Sequence, residues 1–197
     1  RNISLHHGWK TLTHNMANWY QDQLTNKNYL SPIGFVFNLD KARKVSFLCQ
    51  RASIPDITLG VVELPTRGMV PIPVEGNIQY GNLEVEFLVD EDLRNYMELH
   101  NWIRALGTPQ SMAERTAWNT KYQGLPSEDA RVSDATLQVL NNNNIVNFDV
   151  VFKNLFPTSL STIQFDVTQS DNEFFTATAS FDYMLYEIRD RNSQKRR

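Results

Sequence analysis

Four prolines in one short stretch constrain the fold of this chain more than any other feature. Pro55, Pro65, Pro71 and Pro73 each fix their own φ angle and lack a backbone donor. Residues 55–74 therefore cannot form the centre of a sheet. The β-branched residues between the prolines nevertheless favour extended structure, and two glycines allow bends. We predict an extended arm or a long hairpin in this stretch.

A largely apolar arm on a small domain needs a cover, because unpaired strand edges and exposed apolar patches promote association. We expect another protein chain to supply that cover. The predicted interface residues are Pro55, Asp56, Leu59, Val62, Arg67, Met69, Pro71 and Val74 on the arm, with Trp9 and Trp19 on the N-terminal segment.

A strand and a helix are predicted directly after the arm. Alternating apolar side chains in residues 83–89 indicate a strand with one buried face. Asp90 stands where a helix N-cap belongs, and Gly107 and Pro109 stand where the helix should end. The side chains that recur at helical spacing between these points are Leu93, Tyr96, Met97, His100, Ile103 and Leu106.

The rest of the chain reads mainly as strands, because β-branched and aromatic residues alternate or cluster in it. Predicted strands cover residues 35–39, 45–50, 135–139, 146–152 and 163–167, with a long final strand at 175–185. The four consecutive asparagines at 141–144 predict the turn of a hairpin. Residues 108–133 are polar, and we expect an irregular loop there.

No sequence motif for catalysis, a metal or a cofactor is found. The histidines at 6, 7, 14 and 100 lack the spacing of a zinc site. Cys49 lies in a predicted strand, where a small buried residue is expected rather than a nucleophile. Neither a nucleophile elbow nor a phosphate-binding glycine loop occurs. We therefore expect a protein without enzymatic activity, metal or cofactor.

Charge is distributed unevenly along the chain. The formal net charge is −3, yet residues 189–197 carry five basic side chains and one acidic one. This tail is either a solvated terminus or a segment that docks on an acidic surface or on phosphate. The acidic remainder argues against sequence-specific binding of nucleic acid, which needs cationic contacts with phosphates.

The chain is expected to be soluble, because no apolar run approaches the roughly 20 residues that cross a bilayer. Its single cysteine cannot form an internal disulfide, which fits a reducing cytoplasm.

The order of these segments resembles the tail tube protein family of contractile-tailed bacteriophages. The resemblance covers residues 31–188 and rests on three elements. The first is GNIQYGNLEVEFLVDEDLRNYMELHNWI, a strand followed by Asp-Glu-Asp and a helix with Trp102. The second is Leu-Phe-Pro-Thr at 155–158, and the third is the last alternating segment with Tyr183 and Tyr186.

This resemblance implies a mainly β fold with one flanking helix, a small β-barrel or sandwich similar to phage and type VI secretion tube subunits. It further implies hexameric rings stacked into a hollow tube in the virion tail, made in the host cytoplasm, with a surrounding sheath and DNA that passes through without specific binding. Residues 1–30 and 108–133 depart from the family pattern. They leave open whether the subunit repeats along the tube or forms an initiator ring at the baseplate.

A second interpretation remains open at this point. The same strands could form a monomeric β-barrel in which phenylalanine and tyrosine side chains line a cavity for a small apolar ligand.

Overall fold

The computed structural model describes residues 29–30, 34–65, 67–68, 70–108, 110–122, 130–165 and 174–190. The chain divides into two units, Arg1–Leu30 and Ser31–Arg197. All elements described below belong to the second unit. The predicted interface residues Trp9 and Trp19 lie outside the described residues.

The described residues form nine strands and three helices, so the predicted mainly β class is confirmed. In chain order the elements are β1 (Phe35–Leu39), α1 (Arg43–Phe47), β2 (Cys49–Ala52), β3 (Ile57–Leu64), β4 (Ile72–Tyr80), β5 (Leu83–Leu88), α2 (Arg94–Gly107), α3 (Met112–Lys121), β6 (Ser133–Leu140), β7 (Val146–Leu160), β8 (Thr176–Asp182) and β9 (Leu185–Asp190).

Seven strands form the body of the fold, in the order β1-β6-β7-β8-β5-β2, with β9 also paired to β7. All of these pairs are antiparallel. The long strand β7 belongs to both halves of the fold, because residues 148–153 pair with β9 and residues 156–160 pair with β8. Between these two stretches Asn154 has a positive φ of 54°. The strands thus form a sandwich-like arrangement that is joined through β7.

Alternation along the strands fills the space between the two halves with apolar side chains, as the pattern of β5 predicts. The largest fully buried side chains of the core as a whole are Trp102, Phe87, Phe152, Phe181, Leu39, Leu83, Leu99 and Leu155.

Helix α2 packs against this core with a different face from the one predicted. Its buried residues are Asn95, Leu99, Trp102 and Ala105, whereas Met97 is exposed. The prediction was wrong because apolar residues occur around most of the helix, and because the buried Asn95 is polar. The side-chain amide of Asn95 donates a hydrogen bond of 2.6 Å to the Leu88 carbonyl, so this buried polar group has a partner.

The predicted N-cap at Asp90 was also wrong. The helix begins at Arg94, and its N-cap is Leu93 with a φ of 57°. The Asp90 carboxylate instead accepts the backbone N–H of Asp92 at 2.7 Å, which forms a turn before the helix.

Three of the predicted strands differ from the observed elements. Residues 45–50 contain the end of helix α1 and the start of β2, and only Val45 of α1 is buried. Residues 163–165 are not in a strand, and the remainder of that prediction lies outside the described residues. The predicted final strand is interrupted at 183–184, where the chain passes from β8 to β9.

Helix α3 occupies part of the segment predicted as an irregular loop. Trp118 of α3 is buried and stacks on Trp102 of α2, with ring centroids 6.1 Å apart and planes 12° apart. Its indole N–H donates to the Ala130 carbonyl at 3.0 Å. One buried tryptophan therefore attaches an otherwise polar helix to the core, and the loop prediction was wrong for Met112–Lys121.

Candidate subunit interface

Strands β3 and β4 form a separate two-stranded sheet, called here the arm hairpin. Every residue of β3 is exposed, and Val61 is 66% exposed. An isolated two-stranded ribbon with this much exposed apolar surface is a marginal structure in water. The sequence predicted an arm or long hairpin over residues 55–74, and the hairpin observed consists of Ile57–Leu64 and Ile72–Tyr80.

A β-bulge divides the arm hairpin into a base half and an outer half. Leu59 pairs with Ile78 and Val61 pairs with Glu75, so β4 holds one more residue than β3 opposite Gly60. Because the extra residue lies in β4, the side chains of β3 continue to alternate between the two faces of the ribbon through Gly60. The apolar side chains of the two halves therefore lie on opposite sides of the ribbon.

Three surfaces of the arm hairpin follow from this pairing. The inner apolar patch, near the base, consists of Ile57, Leu59 and Ile78. The outer apolar patch, on the opposite side, consists of Val62, Leu64, Ile72 and Val74. The acidic face of the outer half consists of Val61, Glu63, Pro73 and Glu75.

Two tyrosines hold the base of the arm hairpin: Tyr183, which lies between β8 and β9, and Tyr186 of β9. The Tyr183 hydroxyl donates to the Gly81 carbonyl at 2.8 Å, and the Tyr186 hydroxyl donates to the Pro55 carbonyl at 3.4 Å. The backbone N–H of Gly81 donates to the Asp56 carbonyl at 3.0 Å, which closes the base.

The rings of this base pack against one another and against the core. Tyr80 lies 6.0 Å from Tyr183 and 5.5 Å from Tyr186, measured between ring centroids, and Phe152 lies 5.1 Å from Tyr183. Burial raises the pKa of the Tyr183 hydroxyl, and the neighbouring Tyr186 raises it further. Tyr183 therefore remains protonated at neutral pH and serves as a hydrogen-bond donor.

The predicted interface residues fall into distinct places. Leu59, Val62 and Pro71 are exposed on the arm hairpin, and Arg67 is exposed in its turn. Val74 is half-buried and pairs with Val62. Pro55 is buried at the base, Asp56 is exposed beside it, and Met69 lies outside the described residues.

The sequence interpretation missed several residues of this surface. Ile57, Leu64, Ile72 and Ile78 are as exposed as the residues chosen, and their β-branched or apolar character in a proline-rich stretch was the available signal. The roles of Tyr183 and Tyr186 could not be found, because these residues lie more than 100 positions from the arm hairpin they hold.

Three other features of the described residues bear on chemistry and location. The described residues contain no group of three or more His, Cys, Asp or Glu side chains that could hold a metal ion. Cys49 is half-buried, and burial raises the pKa of its thiol from 9.0 to about 11, so the thiolate is scarce at neutral pH. Among the described helices, none has the length and apolar character needed to span a membrane.

Solved structures with the same fold come from contractile injection systems. The cap of the anti-feeding prophage, described as a tube terminating cap, has a TM-score of 0.55 at 19% identity over 86% of this chain and 97% of that one. A sheath-tube complex of an extracellular contractile injection system gives 0.55 at 14% identity over 83% and 93%. The anti-feeding prophage baseplate gives 0.56 at 14% identity over 83% and 96%.

A comparison with curated proteins found no match. Residues 13–189 match the family model described as phage tail tube protein. That match covers most of the 197 residues. The chain belongs to the phage tail tube protein family.

Proposed function

We propose that this protein is a structural tube subunit whose copies associate through the arm hairpin into hexameric rings, which stack into a hollow tube. The observation that carries the proposal is the apolar surface on both sides of the arm hairpin. Full burial of one Val, Leu or Ile side chain contributes about 1.5–3 kcal/mol. These side chains are roughly half exposed, so covering several of them supplies a few kcal/mol for each contact between copies.

The structural neighbours support this geometry. One is a sheath-tube complex, and another is a baseplate described as six-fold symmetrised. In our proposal this chain likewise occupies a ring of six within a tail, with a sheath around it and tube or baseplate rings as neighbours. The subunit could repeat along the tube or form the initiator ring at the baseplate. In both positions, the arm hairpin would join neighbouring copies.

The proposed tube resides in the virion tail after synthesis in the host cytoplasm, and DNA passes through it without specific binding. The acidic character of residues 1–188 supports this part of the proposal, because like charge keeps DNA from adhering to a wall. The subunit is proposed to perform no catalysis.

The alternative of a monomeric barrel with an apolar ligand receives less support. Its cavity would lie within the apolar core, where Phe87, Phe152, Phe181 and Trp102 are fully buried in one packed cluster.

Negative-stain electron microscopy of the purified full chain, combined with light scattering after size-exclusion chromatography, tests the proposal. We expect rings or tubes whose end views average to six-fold symmetry. A protein that stays monomeric at every concentration up to the millimolar range would contradict it.

A further inference from the structure

An open groove of about 580 Å³ lies between helices α1, α2 and α3. Basic side chains outnumber acidic ones in its lining. The basic residues are Lys44, Arg94, Arg104 and Lys121, and the acidic residues are Glu98 and Glu114. In a chain with a net charge of −3, this is a local excess of positive charge.

Two of the four basic side chains lack an acidic partner within the described residues. Arg94 pairs with Asp92 and Arg104 pairs with Glu114. Lys44 forms neither a hydrogen bond nor an ion pair with any described residue. Lys121 lies over the ring of Trp118 at 5.1 Å, which leaves its charge without a carboxylate. The groove therefore presents two lysines that an acidic partner can neutralise, beside one carboxylate, Glu98, that pairs with no cation among the described residues.

Apolar side chains accompany these lysines. Met97 is exposed within the groove, and Ala117 is exposed beside it. Phe47 of α1, which is 87% exposed, lines an adjoining hollow that also includes Lys44. A partner that fits this surface combines carboxylates with compact apolar side chains.

The acidic face of the arm hairpin has this composition. Glu63 and Glu75 are diagonal neighbours across the two strands, a relationship that separates residues by about 7–8 Å. Neither carboxylate contacts a cation among the described residues. Val61 and Pro73 lie beside them as small apolar side chains. Every residue of β3 is exposed, and no described residue of the hairpin lines the groove, so the hairpin does not occupy the groove of its own chain.

We propose that the groove between α1, α2 and α3 receives the acidic face of the arm hairpin of a second copy, with Glu63 and Glu75 placed against Lys44 and Lys121. The inference rests on the proposed function, and it names the surface that the arm hairpin binds. Such a contact joins two different surfaces, so it repeats from copy to copy and builds a ring or a stack. The opposite charges select this pairing among chains that carry a net negative charge.

Charge reversal tests the pairing. The groove-reversed variant carries Lys44→Glu and Lys121→Glu, and the hairpin-reversed variant carries Glu63→Lys and Glu75→Lys. For each variant alone, we expect the concentration at half-assembly, measured by light scattering and electron microscopy, to rise about tenfold or more. An equimolar mixture should assemble close to the wild-type concentration, because each acidic element then meets a basic one.

A control variant with Glu84→Lys and Glu91→Lys changes the net charge as the hairpin reversal does, at two exposed positions elsewhere. It should assemble with the wild-type concentration dependence.

Normal assembly of the groove-reversed variant alone, or failure of the mixture, overturns the pairing. Normal tubes from the groove-reversed variant that no longer bind added sheath subunits would identify sheath as the occupant and likewise overturn it. A wild-type chain that never assembles contradicts the proposed function itself.

Discussion

The Tyr183 hydroxyl donates a hydrogen bond of 2.8 Å to the backbone carbonyl of Gly81, a residue 102 positions earlier in the chain. Gly81 follows the last residue of β4, so this bond joins the C-terminal corner of the sandwich to the base of the arm hairpin. Tyr186 makes a longer bond of 3.4 Å to Pro55, which lies just before β3 on the other side of the base. The direction in which the arm hairpin leaves the domain is therefore set by residues outside it.

Replacement of Tyr183 by Phe should loosen this base while it keeps the packed ring. We expect a loss of about 0.5–1.5 kcal/mol in the free energy of unfolding, because one intramolecular hydrogen bond is lost. Hydrogen exchange should accelerate in β3 and β4 more than in β6 and β7. The control is Tyr186→Phe, for which a smaller effect is expected because its bond is longer. Equal exchange rates in wild type and Tyr183→Phe would remove Tyr183 from the positioning of the arm hairpin.

Tyr183 also predicts how stability changes in alkali. Burial raises the pKa of its hydroxyl above the ordinary value of 10.0. Above that pH the unfolded chain releases a proton that the folded chain keeps, so the free energy of unfolding falls as pH rises. We expect urea denaturation between pH 9 and pH 11 to show a smaller loss of stability for Tyr183→Phe than for wild type. Parallel curves for the two proteins would contradict this assignment.

Cys49 should react slowly with alkylating agents. Burial raises the pKa of its thiol from the ordinary 9.0 to about 11. The fraction of thiolate at pH 8 is then about 100-fold lower than in an unfolded chain. A thiolate of higher pKa is also more nucleophilic, here by about tenfold, so we expect an alkylation rate about tenfold below that of an unfolded control. The pH profile of iodoacetamide labelling should have its midpoint near 11 in the folded protein. A midpoint at the unfolded value would show that the thiol is solvated.

The bulge of the arm hairpin depends on Gly76. A Cβ atom at this position would lie 2.8 Å from the Gly60 carbonyl oxygen. Gly76→Val should therefore distort the bulge and reduce assembly, while the melting temperature of the domain changes by only a few degrees. Gly107→Ala is the matched control, since a Cβ there meets no atom within 4 Å. Unchanged assembly of Gly76→Val would show that the shape of the bulge does not matter.

The parts of the fold that sequence could predict are those in which one strand face is buried by its neighbours. The alternation in β5, β6 and the first half of β7 appears directly in their burial. The hairpin turn at the asparagines is also correct, because the Asn141 side chain accepts the backbone N–H groups of Asn143 and Ile145 at 2.9 and 3.0 Å.

The errors occur where tertiary contacts override local pattern. Helix α3 has one buried residue, Trp118, which stacks on Trp102 of α2, a residue distant from it in sequence. The break between β8 and β9 arises because β7 pairs with both strands, which no local pattern encodes. For the candidate interface, proline content and apolar character pointed to the arm hairpin. They could not reveal its bulge, which depends on the register between β3 and β4.

The most direct test of the account is analytical ultracentrifugation and electron microscopy of the full chain and of a variant that lacks residues 60–71. This deletion removes the outer half of β3 and the turn of the arm hairpin, and it leaves the core residues and the tyrosine base in place. We predict that the wild type forms rings or tubes, and that the variant remains a folded monomer with a similar melting temperature. Normal rings or tubes formed by the deletion variant would contradict the claim that the arm hairpin joins the copies.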